Sequence, residues 1–151
     1  MFESTGTLIY DPKARIKQEP WWLILKTDKG ILDYYQSQIK QHFDVGFEKT
    51  VWGSHISVVR GDNPPKKEAW GKYKNEKIKF TYTNQVYRAH WFFCIDAYSE
   101  RLEEIRMELG LPKLPKFGFH LTIGRLNKQY LKEANERRNK ITTGTMGRVG
   151  P

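Results

Sequence analysis

Cysteine is almost absent from this chain. Cys94 is the only one in 151 residues, which excludes an intramolecular disulfide and a cysteine-rich zinc site. It lies in the apolar run WFFCID at 91–96, where the expected role is a buried strand thiol rather than a nucleophile. Long hydrophobic runs are missing too, and no apolar stretch approaches the ~20 residues that span a bilayer. The start, MFESTGTLIY, has neither the basic nor the apolar region of a secretory signal. The expectation is a cytoplasmic protein with no transmembrane segment. Acidic residues are scarce beside basic ones: 17 Asp and Glu against 26 Lys and Arg, a formal charge of +9. That imbalance favours polyanionic partners such as nucleic acid, nucleotides or a membrane surface. With 38% hydrophobic and 14% aromatic residues, global disorder is excluded. The length suits a single domain over residues 1–151 with its own core.

Hydrophobic spacing suggests the elements. PWWLILK at 20–26 reads as a buried strand closed by Asp28 and Gly30. In ILDYYQSQIKQHF, Ile31, Tyr35 and Ile39 recur at helical spacing. GSHISVVR at 53–60 reads as a strand, and 61–74 as a basic loop with one helical turn after Pro65. Ile78, Phe80 and Tyr82 alternate with polar residues, as one sheet face would. VYRAHWFFCIDA reads as one strand. SERLEEIRMELG reads as a helix with Ser99 as N-cap and Gly110 at its stop. FHLTIGR follows as a strand, LNKQYLKEANERRNK as a basic helix, and about 141–151 as a glycine-rich tail, flexible unless a ligand orders it.

One unit occurs twice. GSHISVVR at 53–60 and GFHLTIGR at 118–125 share Gly-x-His-x-(Ser/Thr)-x-x-Arg. Of four histidines, His55 and His120 occupy the same place in the repeat. Alternate strand residues share a face, so His55 projects with Ser57, and His120 with Thr122. Histidine is the side chain whose unperturbed pKa, ~6.5, lets a neutral base and a protonated acid coexist near pH 7. The two hydroxyls can donate to phosphate oxygens. A single His-x-Ser on a strand is commonly structural, but two matched copies weaken that account. A metal centre would need a third ligand, and no carboxylate stands at ligand spacing beside either histidine. A serine triad uses one histidine for one nucleophile, which leaves the duplication unexplained. Arg60 and Arg125 fall on the opposite parity, where they would anchor a neighbouring carboxylate.

HIS at 55–57 and HLT at 120–122, in two matched halves, resemble the paired His-x-Ser/Thr signature of the 2H phosphoesterases. The resemblance covers roughly residues 20–126. WGSHISVVRG and LPKFGFHLTIGR look closest to the phage anti-CBASS branch, enzymes that cleave cyclic di- and trinucleotide messengers of bacterial antiphage defence. The resemblance implies an α+β fold, with two pseudo-symmetric strand–helix–strand lobes around a concave antiparallel sheet. It implies catalytic residues at His55, Ser57, His120 and Thr122, no metal or other cofactor, and action in the host bacterial cytoplasm. The partner would be a cyclic oligonucleotide substrate rather than a stable nucleic-acid complex. One histidine would deprotonate a ribose 2′-OH for attack on the 3′–5′ phosphodiester, while the other protonates the departing 5′-oxygen. The sequence does not distinguish the two.

Such a ligand also needs stacking surfaces, worth ~1–3 kcal/mol per base. Tyr10, Trp22, Trp70 and Tyr87 are the candidates. Trp70 is flanked by Lys66, Lys67, Lys72 and Lys74; for Trp22 and Tyr87 a core role competes equally. Two alternatives remain at this level: a phosphodiesterase acting on RNA ends or 2′,3′-cyclic phosphates, and a non-catalytic basic nucleotide sponge.

Overall fold

The structure is a computed structural model. It describes residues 1–13, 18–43, 47–48, 53–126, 132 and 136, so most of the expected C-terminal helix and all of the tail at 141–151 lie outside the described residues. In chain order the elements are β1 (Phe2–Tyr10), β2 (Leu23–Lys26), α1 (Lys29–Phe43), β3 (Phe47–Glu48) and β4 (His55–Val59). A 3-10 turn (Lys67–Ala69) comes next, then β5 (Lys77–Tyr82), β6 (Tyr87–Ala89), β7 (Phe92–Tyr98), α2 (Glu100–Glu108) and β8 (His120–Leu126). The class is α+β, and every strand pairing is antiparallel. The sheet runs β3-β8-β4-β2-β1-β5-β7-β6, and a further β7–β8 pairing closes six of its strands into a barrel. No described helix is long and apolar enough to cross a membrane.

The core is organised by one row of side chains. Leu8 pairs with Leu25, Leu25 with Ile56, Ile56 with Leu121, and Leu121 with Ile95. All five are fully buried, and they join Leu32, Ile39, Leu102 and Ile105 of the helices in a single cluster. Because side chains alternate along each strand, the neighbours of this row project from the other sheet face. His55, Ser57, His120 and Thr122 are among them.

The two motif strands are built alike down to the hydrogen bonds. Against β2, His55 faces Lys26 and Ser57 faces Ile24, with a register shift between Leu23 and Ile24. Against β7, His120 faces Asp96 and Thr122 faces Cys94, with the shift between Phe93 and Cys94. Thr27 N donates to Ser54 O at 3.0 Å, and Ala97 N to Phe119 O at 2.9 Å. Each helix braces the other unit's motif strand. Gln36 of α1 donates Nε2 to Ile123 O of β8 at 3.0 Å. Arg106 of α2, only 2% exposed, donates to Val58 O of β4 at 2.7 Å. Val58 and Ile123 both stand three residues past their histidine.

Local chemistry explains the element ends. Ser99 caps α2, its Oγ accepting from Leu102 N at 3.3 Å, with Glu100 and Glu103 in the first turn favouring the positive end of the helix. Gly110 ends the region at φ +82°, where a Cβ would also meet Pro65 at 3.1 Å. FESTGTLIY, to which the hydrophobic spacing assigned no element, forms the long strand β1, and one expectation differs from the structure. VYRAHWFFCIDA is a hairpin rather than one strand, turned by His90 at φ +55° without any glycine or proline.

The crossed braces generate a stability prediction. Gln36→Ala strands the Ile123 carbonyl in a dry site and should cost about 1–3 kcal/mol. Arg106→Met strands the Val58 and Pro112 carbonyls together and should cost more. Chemical denaturation with unchanged slope checks both.

Candidate active site

Each motif glycine sets its histidine. Gly53 and Gly118 hold left-handed backbone at φ +68° and +69°. A Cβ on either would meet nothing within 4 Å, so backbone conformation, not space, calls for glycine there. The turn brings each glycine carbonyl back onto the imidazole: His55 Nδ1 to Gly53 O is 3.1 Å, and His120 Nδ1 to Gly118 O is 3.1 Å. A carbonyl only accepts, so Nδ1 carries the proton in both rings. Nε2 is the ring nitrogen that this lock does not engage. The two half-buried histidines therefore present the same nitrogen by the same device.

The Ile56–Leu121 pairing sets Ser57 beside His120 on one side of it, and Thr122 beside His55 on the other. Each hydroxyl thus neighbours the other unit's histidine. A phosphate centred over β4 and β8 would meet two imidazoles and two hydroxyls. Such a constellation can take a proton on one side of a phosphorus, give one on the other, and hold non-bridging oxygens between. Among the described residues, no group of three His, Cys, Asp or Glu side chains converges to hold a metal ion.

The two histidines differ in their surroundings. Trp22 meets the His55 ring edge-to-face at 6.2 Å between centroids, and the Arg60 guanidinium lies over Trp22 at 4.6 Å. Beside His120, Tyr87 donates its hydroxyl to Asp96 Oδ1 at 2.8 Å. Arg60 and Arg125 follow the parity expectation and bind carboxylates. Arg60 makes two 2.9 Å bonds to Glu19, holding that carboxyl below its usual range; Arg125 reaches Glu48 at 2.8 and 2.7 Å.

The aromatic candidates separate. Tyr10 and Trp70 come together at 5.1 Å, edge-to-face. Trp70 Nε1 donates to Asp11 Oδ2 at 3.1 Å. Trp22 is corrected: at 1% exposure it backs His55 and offers no face to a base. Its neighbour Trp21, overlooked in the sequence, stands against Trp70 at 5.1 Å, with Lys67 Nζ 5.7 Å from its ring. A φ of +54° at Trp21 separates the paths of the two adjacent indoles. The signal was available in PWW, since consecutive residues entering a strand cannot share a face. Tyr87 is half-buried, and its hydroxyl donates to Asp96. Of the loop lysines, Lys72 is tied to Glu108 at 2.5 Å.

A cleft of about 480 Å³ lies between α1 and the ends of β1 and β5, lined by Phe2, Tyr34, Tyr35 and Tyr82 with Glu3 and Asp28. None of the four motif residues lines it. Burial, then the neighbouring Tyr82 and Tyr34, pushes Tyr35 up to about 12, so its phenol stays neutral at physiological pH.

No family model, no curated protein and no solved structure matches the chain.

Cys94 shares this face, opposite Thr122. Burial pushes its thiol up to about 11, partly opposed by a hydrogen bond with Thr122. At pH 8 only about 0.1% would be thiolate, and the thiolate is the reactive form. Native protein treated with iodoacetamide at pH 8 should remain unmodified over hours, whereas urea-unfolded protein should be alkylated within minutes. Intact mass checks the outcome.

Proposed function

We propose that this chain is a metal-independent phosphodiesterase of the 2H type that opens 3′–5′ bonds in cyclic di- and trinucleotides. One observation carries the reading: the same Gly-turn, Nδ1-to-carbonyl lock and neighbouring hydroxyl occur twice, on adjacent antiparallel strands. The two strand–helix–strand units, with their matched registers and crossed braces, are taken as the pseudo-symmetric lobes of that fold. A single structural histidine would not require a second with the same lock. A reaction moving one proton off a nucleophile and another onto a leaving group does.

In the proposed reaction the phosphodiester rests between His55 and His120. One Nε2 removes the proton from the ribose 2′-OH, and a 2′-O–P bond forms as the P–O5′ bond breaks. The other imidazolium Nε2 gives its proton to O5′. Ser57 and Thr122 donate to the non-bridging oxygens, where negative charge gathers in the transition state. The product is a linear nucleotide ending in a 2′,3′-cyclic phosphate, open to later hydrolysis. Linearising such a messenger would silence the effector that it activates, which fits a phage-borne antagonist of CBASS acting in the host cytoplasm. The Tyr10–Trp21–Trp70 cluster supplies aromatic surface, and the +9 charge favours an anionic ligand.

The test is turnover of 3′,5′-linked cyclic GMP–AMP in EDTA, resolved by mass. Activity should survive the chelator and be bell-shaped in pH around neutrality. His55→Ala and His120→Ala should each lose about 10²–10⁴-fold, with the double variant little worse than either. The Ser57→Ala and Thr122→Ala variants should lose less. A fully 2′-deoxy analogue should bind and remain intact. Near wild-type turnover in either folded histidine variant would overturn the reading.

A further inference from the structure

The cleft of about 480 Å³ between α1 and the ends of β1 and β5 stands apart from the histidines. Phe2 pairs directly with Tyr82 across β1 and β5, and it shares the parity of Leu8, which is fully buried. Leu8 packs in one cluster with Leu32 and Ile39 of α1. Alternation along the strand therefore puts Phe2 and Tyr82 on the helix side of the sheet, the reverse of the histidine face. The volume falls within the range of about 300–1,000 Å³ usual for small-molecule sites.

Its walls are aromatic and its charge is negative. Phe2 and Tyr82 stack with centroids 5.7 Å apart and ring planes 30° apart. From α1, Tyr34 and Tyr35 meet edge-to-face at 5.0 Å. Phe2 and Tyr34 are 50% and 55% exposed, so the fold leaves both rings open to a ligand. The charged side chains of the lining are Glu3 and Asp28, and no lysine or arginine joins them, in a chain whose formal charge is +9. Gly30 N donates to Asp28 Oδ1 at 2.7 Å, which satisfies a free N–H at the start of α1. Lys79 approaches Glu3 at 4.0 Å with both side chains exposed, and the nearby Lys29 pairs with Asp33. Burial, then the Asp28 charge, raises the Tyr82 phenol, so the carboxylate acts within the field of the rings.

Aromatic ring faces carry the negative lobe of the quadrupole and attract cations, and the two carboxylates add attraction of the same sign. Methyl groups on the nitrogen suit such walls, since they bury apolar surface and require no hydrogen-bond acceptor. A bare ammonium would exchange its hydration shell for carboxylates that Gly30 and Lys79 already engage. We propose that this cleft binds a methylated ammonium, a quaternary cation of about the size of choline, with Phe2, Tyr34, Tyr35 and Tyr82 as its walls and Asp28 and Glu3 as its counter-charge. The site lies across the sheet from the histidines, so it stands whether or not they cleave a phosphodiester.

Choline is titrated into the full chain by isothermal calorimetry beside two controls. The alcohol 3,3-dimethylbutanol keeps the shape without the charge, and ammonium chloride keeps the charge without the methyl groups. Choline should bind saturably at one site. The alcohol should bind at least about tenfold more weakly, and equimolar ammonium should not compete. Tyr34→Ala and Asp28→Asn should each weaken choline about two- to fivefold. Tyr34→Phe, which keeps the ring, should stay within about twofold of wild type. Asparagine also caps helices, so Asp28→Asn should fold; if circular dichroism shows otherwise, Glu3→Gln takes its place with the same expected loss. Equal affinity for choline and the alcohol would make the cleft merely apolar and overturn the proposal. Competition by ammonium, or no saturable choline binding at all, would overturn it as well. Loss of choline binding in Trp70→Ala, with Tyr34→Ala unchanged, would move the cation to the Tyr10–Trp21–Trp70 cluster and also overturn it.

Discussion

The register of five apolar side chains governs this molecule. Leu8, Leu25, Ile56, Leu121 and Ile95 meet across consecutive strand pairs. Each withholds its side chain from water, an effect of about 1.5–3 kcal/mol apiece. Because strand side chains alternate, a one-residue slip of β4 or β8 would drive its histidine and hydroxyl into the core and expose the apolar partner. The histidine face needs no separate device to hold it. It is the reverse of the best-buried row in the sheet.

The crossed braces make the two units interdependent. The helix of the first unit donates to the motif strand of the second, and the helix of the second to the motif strand of the first. Neither strand can shift along its axis without stranding a buried carbonyl, whose loss costs more than an average hydrogen bond contributes. The unequal partners, Gln36 and Arg106, do the same work. Arg106 also reaches Pro112 O at 2.8 Å and lies near Asp62 at 3.6 Å. Burial lowers its affinity for the proton and Asp62 opposes that. Both histidines thus share one backbone geometry, while the residue directly opposite is Lys26 for one and Asp96 for the other.

The excess positive charge is only partly free to act on a ligand. Arg60, Arg125, Arg101 and Lys72 are paired with carboxylates. Such exposed pairs contribute roughly 0–1 kcal/mol to stability. Their structural consequence is local: Glu19 fastens the approach to β2 onto the end of β4, and Glu48 fastens β3 onto β8. Lys26, by contrast, stands exposed on the histidine face. Long-range attraction of an anion depends on the net charge rather than on these local pairs.

Several features were legible because they rest on local rules. The repeat is visible as a string, and the parity of a strand puts His55 with Ser57 and His120 with Thr122. Helical spacing marked α1 and α2, and Ser99 and Gly110 marked the ends of α2. The basic loop carried its single helical turn where Pro65 suggested. Local rules failed where a neighbour decided the outcome. β1 is a strand because β2 and β5 pair with it on both edges, whatever its own serine, threonine and glycine content. The turn at His90 exists because β6 folds back on β7. Trp22 is buried and Trp21 left at the Trp70 cluster because Trp21 itself takes a left-handed backbone. The sequence by itself determined the residues that can do chemistry and the faces they share, since alternation is a property of one strand. Barrel closure, the opposition of Lys26 to His55 and of Asp96 to His120, and the crossed braces belong to the tertiary structure. They depend on which strands lie side by side, and pairing is a relation between distant segments that no single segment encodes.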